Sequence, residues 1–116
     1  QKIFEIGEVF VKDKEKHTET GIGEKAKLII AFAPGNFTDA KQALDYLMRM
    51  LNVNYSVVGG KKKGMIEGRV GKVIVGNKNV GFIGEVHPAV LRNLRLKTSV
   101  SMAEISLKEL YGSSKN

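Results

Sequence analysis

Cysteine is absent from this chain of 116 residues. Disulfides, thiolate zinc sites and a cysteine nucleophile are therefore excluded, and a reducing cytoplasm is a compatible setting. Long apolar runs are also missing, so the sequence predicts no transmembrane helix and no membrane partner. The opening residues, Gln1 to Glu5, include no initiator methionine and do not resemble a signal peptide. We expect a fragment of a longer cytoplasmic protein.

Arginine is scarce in a chain that is otherwise basic. Nineteen Lys and Arg residues oppose twelve Asp and Glu residues, for a net charge of +7, and only four of the nineteen are Arg. Basic surfaces attract phosphate polymers, but Arg rather than Lys pairs bidentately with phosphates and base edges. A surplus made mostly of Lys favours solubility and general electrostatics over specific nucleic-acid binding.

The spacing of apolar residues predicts one α+β domain over residues 1–116, built from a mostly antiparallel sheet flanked by helices. The clearest helix is 38–51, with Thr38 as its N-cap, and a shorter helix runs over 87–94 from a His-Pro start. The apolar stripe of the longer helix comprises Ala40, Ala43, Leu44, Leu47, Met48 and Leu51. The predicted strands are 2–12, 26–33, 54–58, 72–75, 80–86 and 98–105.

Three segments show no strong periodicity. Residues 12–25 are polar, which predicts an exposed loop or hairpin tip. Residues 65–71 are interpreted as irregular, and residues 106–116 as a final turn followed by a tail. Gly81 and Gly84 interrupt the second arm of a predicted hairpin, which indicates a close backbone approach at that point.

Strand 80–86 is apolar on both faces. Val80, Phe82 and Val86 are expected on one side of the sheet and Ile83 on the other. The predicted helices can cover only one side, so the other side needs a partner. This pattern favours an interaction module.

Lys61, Lys62 and Lys63, between glycines, are the best candidates for a phosphate contact. Three ammonium groups on a flexible turn could clamp a nucleic-acid backbone. Tyr55 is the only aromatic residue close to them in sequence, so the aromatic platform of a single-strand binder is missing. A solvated turn is therefore the favoured interpretation.

Glu85 and His87 are the candidates for metal binding or acid–base chemistry. They lie two residues apart on a predicted strand, so their side chains share a face. A metal site would need a third ligand, which no motif supplies. We favour the alternative that His87 caps the helix opened by Pro88 and that Glu85 meets a polar neighbour.

Four segments in order carry a family resemblance. The longest, Val80 to Leu91, resembles the signature stretch near the end of the β subunit of phenylalanyl-tRNA synthetase. Phe4–Phe10 and Ala103–Leu107 are similar to an early and a final strand of the same module, and Glu67–Arg69 is similar to its Gly-Arg turn before the hairpin. Together the four segments span nearly the whole chain.

The resemblance implies the class II synthetase fold, an antiparallel sheet flanked by helices, in a β subunit of the archaeal or eukaryotic type. In this family the α subunit binds ATP and phenylalanine and catalyses aminoacylation, and the β module resembles a catalytic domain that has lost its site. Catalytic subunits carry an Arg after an aromatic residue in the early strand, where this chain has Glu5 after Phe4. A carboxylate there would repel the α-phosphate of ATP.

The resemblance therefore implies a non-catalytic module that supports an α subunit within an (αβ)2 assembly acting on tRNA(Phe). It implies no catalytic, cofactor or metal residue in this chain, with ATP and Mg serving the whole enzyme elsewhere. Lys61, Lys62 and Lys63 remain possible RNA contacts. Two other functions stay open, a free-standing basic RNA-binding domain and an enzyme that uses Glu85 and His87.

Overall fold

The computed structural model of the chain describes residues 3–10 and 26–114. The strands in these ranges are β1 (Ile3–Phe10), β2 (Ala26–Ala33), β3 (Ser56–Gly59), β4 (Met65–Val75), β5 (Lys78–Val86) and β6 (Ser101–Ser106). The helices are α1 (Phe37–Met50), α2 (Pro88–Asn93) and α3 (Leu107–Ser114). Strand β1 is described as backbone only. The expected loop over 12–25 and the side chain of Glu5 lie outside what the structure describes.

The six strands form one sheet in the order β1-β2-β6-β5-β4-β3, and every neighbouring pair is antiparallel. The α+β prediction with a mostly antiparallel sheet is confirmed. Helices α1 and α3 pack on one face, here called the covered face, and the opposite face is called the second face. No helix in the described ranges is long and apolar enough to cross a membrane.

The core lies between α1 and the covered face. Leu44 and Met48 of α1 are fully buried, because they share one side of the helix and meet Ile83 and Ile105 of the central strands. Other members of the same cluster are Ala40, Val73, Val75, Val80, Ala103 and Leu110. The predicted stripe is confirmed at its centre and is wrong at its end, because Leu51 is 46% exposed and follows the last helical turn.

Helix α1 begins one residue earlier than predicted, and its N-cap is Asn36 rather than Thr38. The Asn36 side chain accepts a hydrogen bond from the Asp39 amide at 2.9 Å, and the Asp39 carboxylate accepts one from the Asn36 amide at 3.0 Å. This reciprocal capping box satisfies two backbone donors at once, which Thr38 could not do from its position within the first turn.

Residues 65–71 are not irregular, as the sequence had suggested, but form the first half of β4. The register with β5 shifts between Met65 and Val70, and Gly68 lies within the shift with a φ of 85°. A bulge with a left-handed glycine breaks the alternation of apolar and polar residues on which strand prediction depends. The sequence pattern therefore did not predict this part of the strand.

A second bulge corrects the predicted position of Val80. Asn79 pairs with Ile74 and Gly81 pairs with Val73, so Val80 is an extra residue on β5. Val80 consequently lies in the core with Ile83 and is 1% exposed, whereas it was expected on the opposite side with Phe82. An extra residue in one strand reverses the alternation beyond it.

The predicted close approach at the two glycines of β5 is confirmed. A Cβ added to Gly81 would overlap the carbonyl oxygen of Glu104 on β6. A Cβ on Gly84 would lie 2.9 Å from the carbonyl oxygen of Arg69. The backbones of the central strands can therefore approach each other only because side chains are missing here.

The predicted final turn is a longer element, since α3 extends over Leu107–Ser114 and takes in part of the expected tail. The Ser106 hydroxyl accepts a hydrogen bond from the Glu109 amide at 3.3 Å, which caps the helix. Leu110 is buried in the core, and Glu109 forms an ion pair with Lys78 at 2.8 Å. These contacts tie α3 to the covered face.

Candidate interaction site on the second face

The second face carries the side chains that alternate with the core positions of the central strands. On β6 these are Met102 and Glu104, which are half-buried, between the fully buried Ala103 and Ile105. Glu104 accepts a hydrogen bond from the Lys27 ammonium of β2 at 3.2 Å. The central charges of this face therefore neutralise each other.

The lysine turn, Gly60–Gly64, borders this face and is joined to the start of α2. The Met65 amide donates to the Lys62 carbonyl at 3.1 Å, and the His87 amide donates to the Gly64 carbonyl at 2.8 Å. The first bond closes the turn on itself, and the second attaches it to the helix. The turn is therefore a fixed wall beside α2.

The side chains of Lys61, Lys62 and Lys63 are all exposed, but each has different contacts. The Lys62 ammonium lies 4.8 Å from the centre of the Phe82 ring, a distance at which a cation and an aromatic face attract each other. Lys61 pairs with Glu67 at 3.8 Å, but both side chains are more than 80% exposed, so this ion pair is weak. Lys63 also lines the space in front of the turn.

The aromatic residue beside the lysine turn is thus Phe82, not Tyr55. The Tyr55 hydroxyl accepts a hydrogen bond from Lys41 at 2.9 Å and donates one to Asp45 at 3.2 Å, beside α1. A hydrogen bond from Arg49 also holds the pKa of the Asp45 carboxyl below its usual value. The pairing of Lys62 with Phe82 crosses twenty positions of the chain, and no local pattern could have predicted it.

An apolar groove of about 360 Å³ lies between the lysine turn, α2 and the second face. Its floor is Phe82, Val86 and Met102, and its far wall is α2 with the residues that follow it. Leu94 and Leu96 at that wall are 63% and 44% exposed. The remaining lining residues are Lys62, Lys63, Gly64, Met65, Val90, Leu91 and Val100. The expectation of an apolar surface on the second face is met at this groove.

Glu85 and His87 have separate structural roles. One Glu85 carboxylate oxygen accepts from the Phe37 amide at 2.7 Å, at the start of α1, and the other accepts from Arg69 at 3.0 Å. The His87 Nδ1 accepts from the Ala89 amide at 3.0 Å and caps α2. The favoured interpretation of both residues is confirmed. Among the described residues, no group of three His, Asp or Glu side chains could hold a metal ion.

The fold and this site together define a class of protein, a small α+β module whose second face presents an apolar groove with lysines at its rim. The family model described as "Phenylalanyl tRNA synthetase beta chain CLM domain" matches residues 1–107. The chain belongs to this family, and the resemblance of the four sequence segments is confirmed.

Relatives in several archaea bear the name phenylalanine–tRNA ligase β subunit. The chain is 42% identical to that of Pyrococcus abyssi and 40% identical to that of Pyrococcus furiosus, in each case over 96% of this chain and 20% of the relative. It is 36% identical to that of Methanococcus aeolicus, over 93% of this chain and 20% of the relative. The chain therefore spans about a fifth of the length of these relatives.

Proposed function

We propose that the chain is a non-catalytic module of a phenylalanine–tRNA ligase β subunit, with a class II synthetase-like sheet. In this proposal it packs against the α subunit in a cytoplasmic (αβ)2 assembly and supports the ATP-dependent aminoacylation of tRNA(Phe). The observation that carries the proposal is the family match over residues 1–107. The single-domain boundary of 1–116 is part of the same proposal.

The charges of the central strands support a non-catalytic role. Strands β2, β5 and β6 contain no Arg. The one Lys of β2, Lys27, is paired with Glu104. A site for a triphosphate needs several fixed positive groups or a metal held by carboxylates. The residues at the centre of the second face do not fit ATP and Mg, which supports placing both elsewhere in the enzyme.

The apolar residues left exposed support a role in assembly. Leu94 and Leu96 border the groove and are 63% and 44% exposed. Monomeric proteins rarely expose clustered large apolar side chains, and such clusters mark interaction surfaces. A module that holds a partner explains this exposed surface without any chemistry of its own.

A deletion tests the proposal. The full-length β subunit and a version lacking this stretch are each co-expressed with the α subunit, and α is recovered by affinity capture of β. We expect the deletion to abolish recovery of α and the aminoacylation of tRNA(Phe). Full recovery of α by the shortened β subunit would contradict the proposal.

Direct RNA contact by Lys61, Lys62 and Lys63 is a second candidate function, favoured by the exposure of all three side chains. Replacing them with Ala should weaken tRNA binding and reduce its dependence on salt. The matched control replaces Arg49, Lys78 and Lys108, which removes the same charge elsewhere. Equal effects of the two triple variants would exclude a specific contact by the turn.

A further inference from the structure

The far wall of the groove on the second face is held in place by backbone hydrogen bonds at the C-terminal end of α2. The Leu96 amide donates to the Leu91 carbonyl at 2.8 Å, and the Arg95 amide donates to the Arg92 carbonyl at 2.9 Å. Arg95 has a φ of 59°, the left-handed conformation of a Schellman motif. This motif ends α2 and fixes Leu94 and Leu96 at the border of the groove, although both are exposed to water.

The charged residues that line the groove have one sign. No Asp or Glu lines it, and Lys62 and Lys63 form its rim at the lysine turn. The segment 87–103, which includes the far wall, has no acidic residue, and its charged residues Arg92, Arg95 and Lys97 are exposed but do not line the groove. An apolar floor beside a basic rim is complementary to a segment that carries acidic side chains next to apolar ones.

We infer that this groove holds an acidic amphipathic segment of the α subunit, an inference that rests on the proposed function. Apolar side chains of the segment cover Leu94, Leu96 and Met102, and its carboxylates meet the rim at Lys62 and Lys63. A groove of about 360 Å³ suits a few apolar side chains of one short segment rather than a flat domain surface.

Nucleic acid fits this groove less well than a peptide. Single-stranded nucleic acid binds by stacking its bases on exposed aromatic rings. Phe82 is the aromatic residue of the groove, and the Lys62 ammonium already lies over its ring. The remaining lining is aliphatic or methionine side chains, which match the apolar residues of a protein partner.

A photo-crosslinking amino acid in place of Leu94 tests which molecule occupies the groove. The experiment uses the full-length β subunit with the α subunit and tRNA present, and the same amino acid at Met50 is the control. We expect the probe at residue 94 to label an α-subunit peptide rich in Asp and Glu. Labelling of the β subunit itself, of tRNA, or of nothing would overturn the inference.

Substitutions at the border test the energetic role of the groove without disturbing the core. Leu94→Gln with Leu96→Gln in the full-length β subunit should weaken the affinity for the α subunit by roughly tenfold or more, since large apolar anchors dominate interfaces. Met50→Gln is the control and should leave the affinity within about twofold. An equal effect of the two variants, or no effect of the double variant, would overturn the inference.

Charge reversal separates this inference from the function on which it rests. Lys62→Glu with Lys63→Glu should slow association with the α subunit and remove most of its dependence on salt. If the unaltered β subunit fails to bind α, the proposed function fails. If it binds normally and none of the groove variants changes that binding, the proposed function stands and the inference fails.

Discussion

Replacing Leu44 with Ala tests the packing of the core most simply. The Leu44 side chain is 0% exposed and lies among residues of α1, β4, β5 and β6. The substitution removes three carbons, which at about 0.8 kcal/mol each corresponds to roughly 2.4 kcal/mol of lost transfer free energy. The cavity left behind raises the expected loss in the free energy of unfolding to about 2–5 kcal/mol.

Leu51→Ala is the matched control, because it makes the same chemical change at the C-cap that follows the same helix, where the side chain is 46% exposed. The expected loss there is about 1 kcal/mol or less. Urea unfolding followed by circular dichroism measures both variants. Equal shifts in the two unfolding midpoints would refute the placement of Leu44 in the core.

The remaining predictions concern the strand contact, the polar bridge and the ion pair of α3. Gly81→Ala should lower the free energy of unfolding by about 3 kcal/mol or more, because the added methyl group meets the backbone of β6. An unchanged urea midpoint would contradict that contact. Glu85→Ala should lower the free energy of unfolding by about 1–3 kcal/mol, since it leaves the first amide of α1 without its acceptor. Arg69→Ala should lower it by about 1 kcal/mol or less, because Arg69 is mostly exposed. Equal losses in urea unfolding would refute the assigned contact of Glu85 with α1. A hydrogen bond from Lys78 lowers the pKa of Glu109 below its ordinary value of 4.5, so this pair stabilises the fold above that pH and the stabilisation is lost as the pH falls through the folded pKa. Lys78→Met should therefore lower the midpoint at pH 7 and lower it progressively less as the pH falls below 4.5. A loss that grows toward acid pH would contradict the assignment.

Helix α1 shows what a strong local pattern predicts. Its apolar stripe repeats at helical spacing, and Leu44 and Met48 are buried as expected. Its first residue was missed because Asn36 and Thr38 are both good capping residues, and only the carboxylate of Asp39 decides between them. A capping box is readable in a sequence when the residue three positions after the cap is also considered.

Strands β4 and β5 show where local patterns fail. Sequence alternation assumes an uninterrupted ladder, but register shifts occur near Gly68 and at Val80. A bulge moves the side chains beyond it to the opposite face of the sheet, and the spacing of apolar residues does not show where it occurs. The covered and second faces therefore cannot be assigned from apolar spacing alone. Once the bulge at Val80 is known, the burial of Val80 on the same face as Ile83 follows.

The candidate site could be predicted only in part. The sequence indicates the basic turn at Lys61 to Lys63, the cap at His87 and an apolar surface that needs a partner. It does not indicate the groove, because Phe82 and Leu94 come together with the lysine turn only in the folded sheet. Likewise the sequence predicts that Glu85 meets a polar neighbour, but it does not identify that neighbour as Arg69, which lies sixteen positions away on β4.

Hydrogen exchange of the full-length β subunit, measured alone, with ATP and phenylalanine, and with the α subunit, tests the central claim most directly. A non-catalytic assembly module should show slower amide exchange within residues 26–114 when α is added and no change when the small substrates are added. Slower exchange on adding ATP and phenylalanine alone, or unchanged exchange on adding α, would contradict the account.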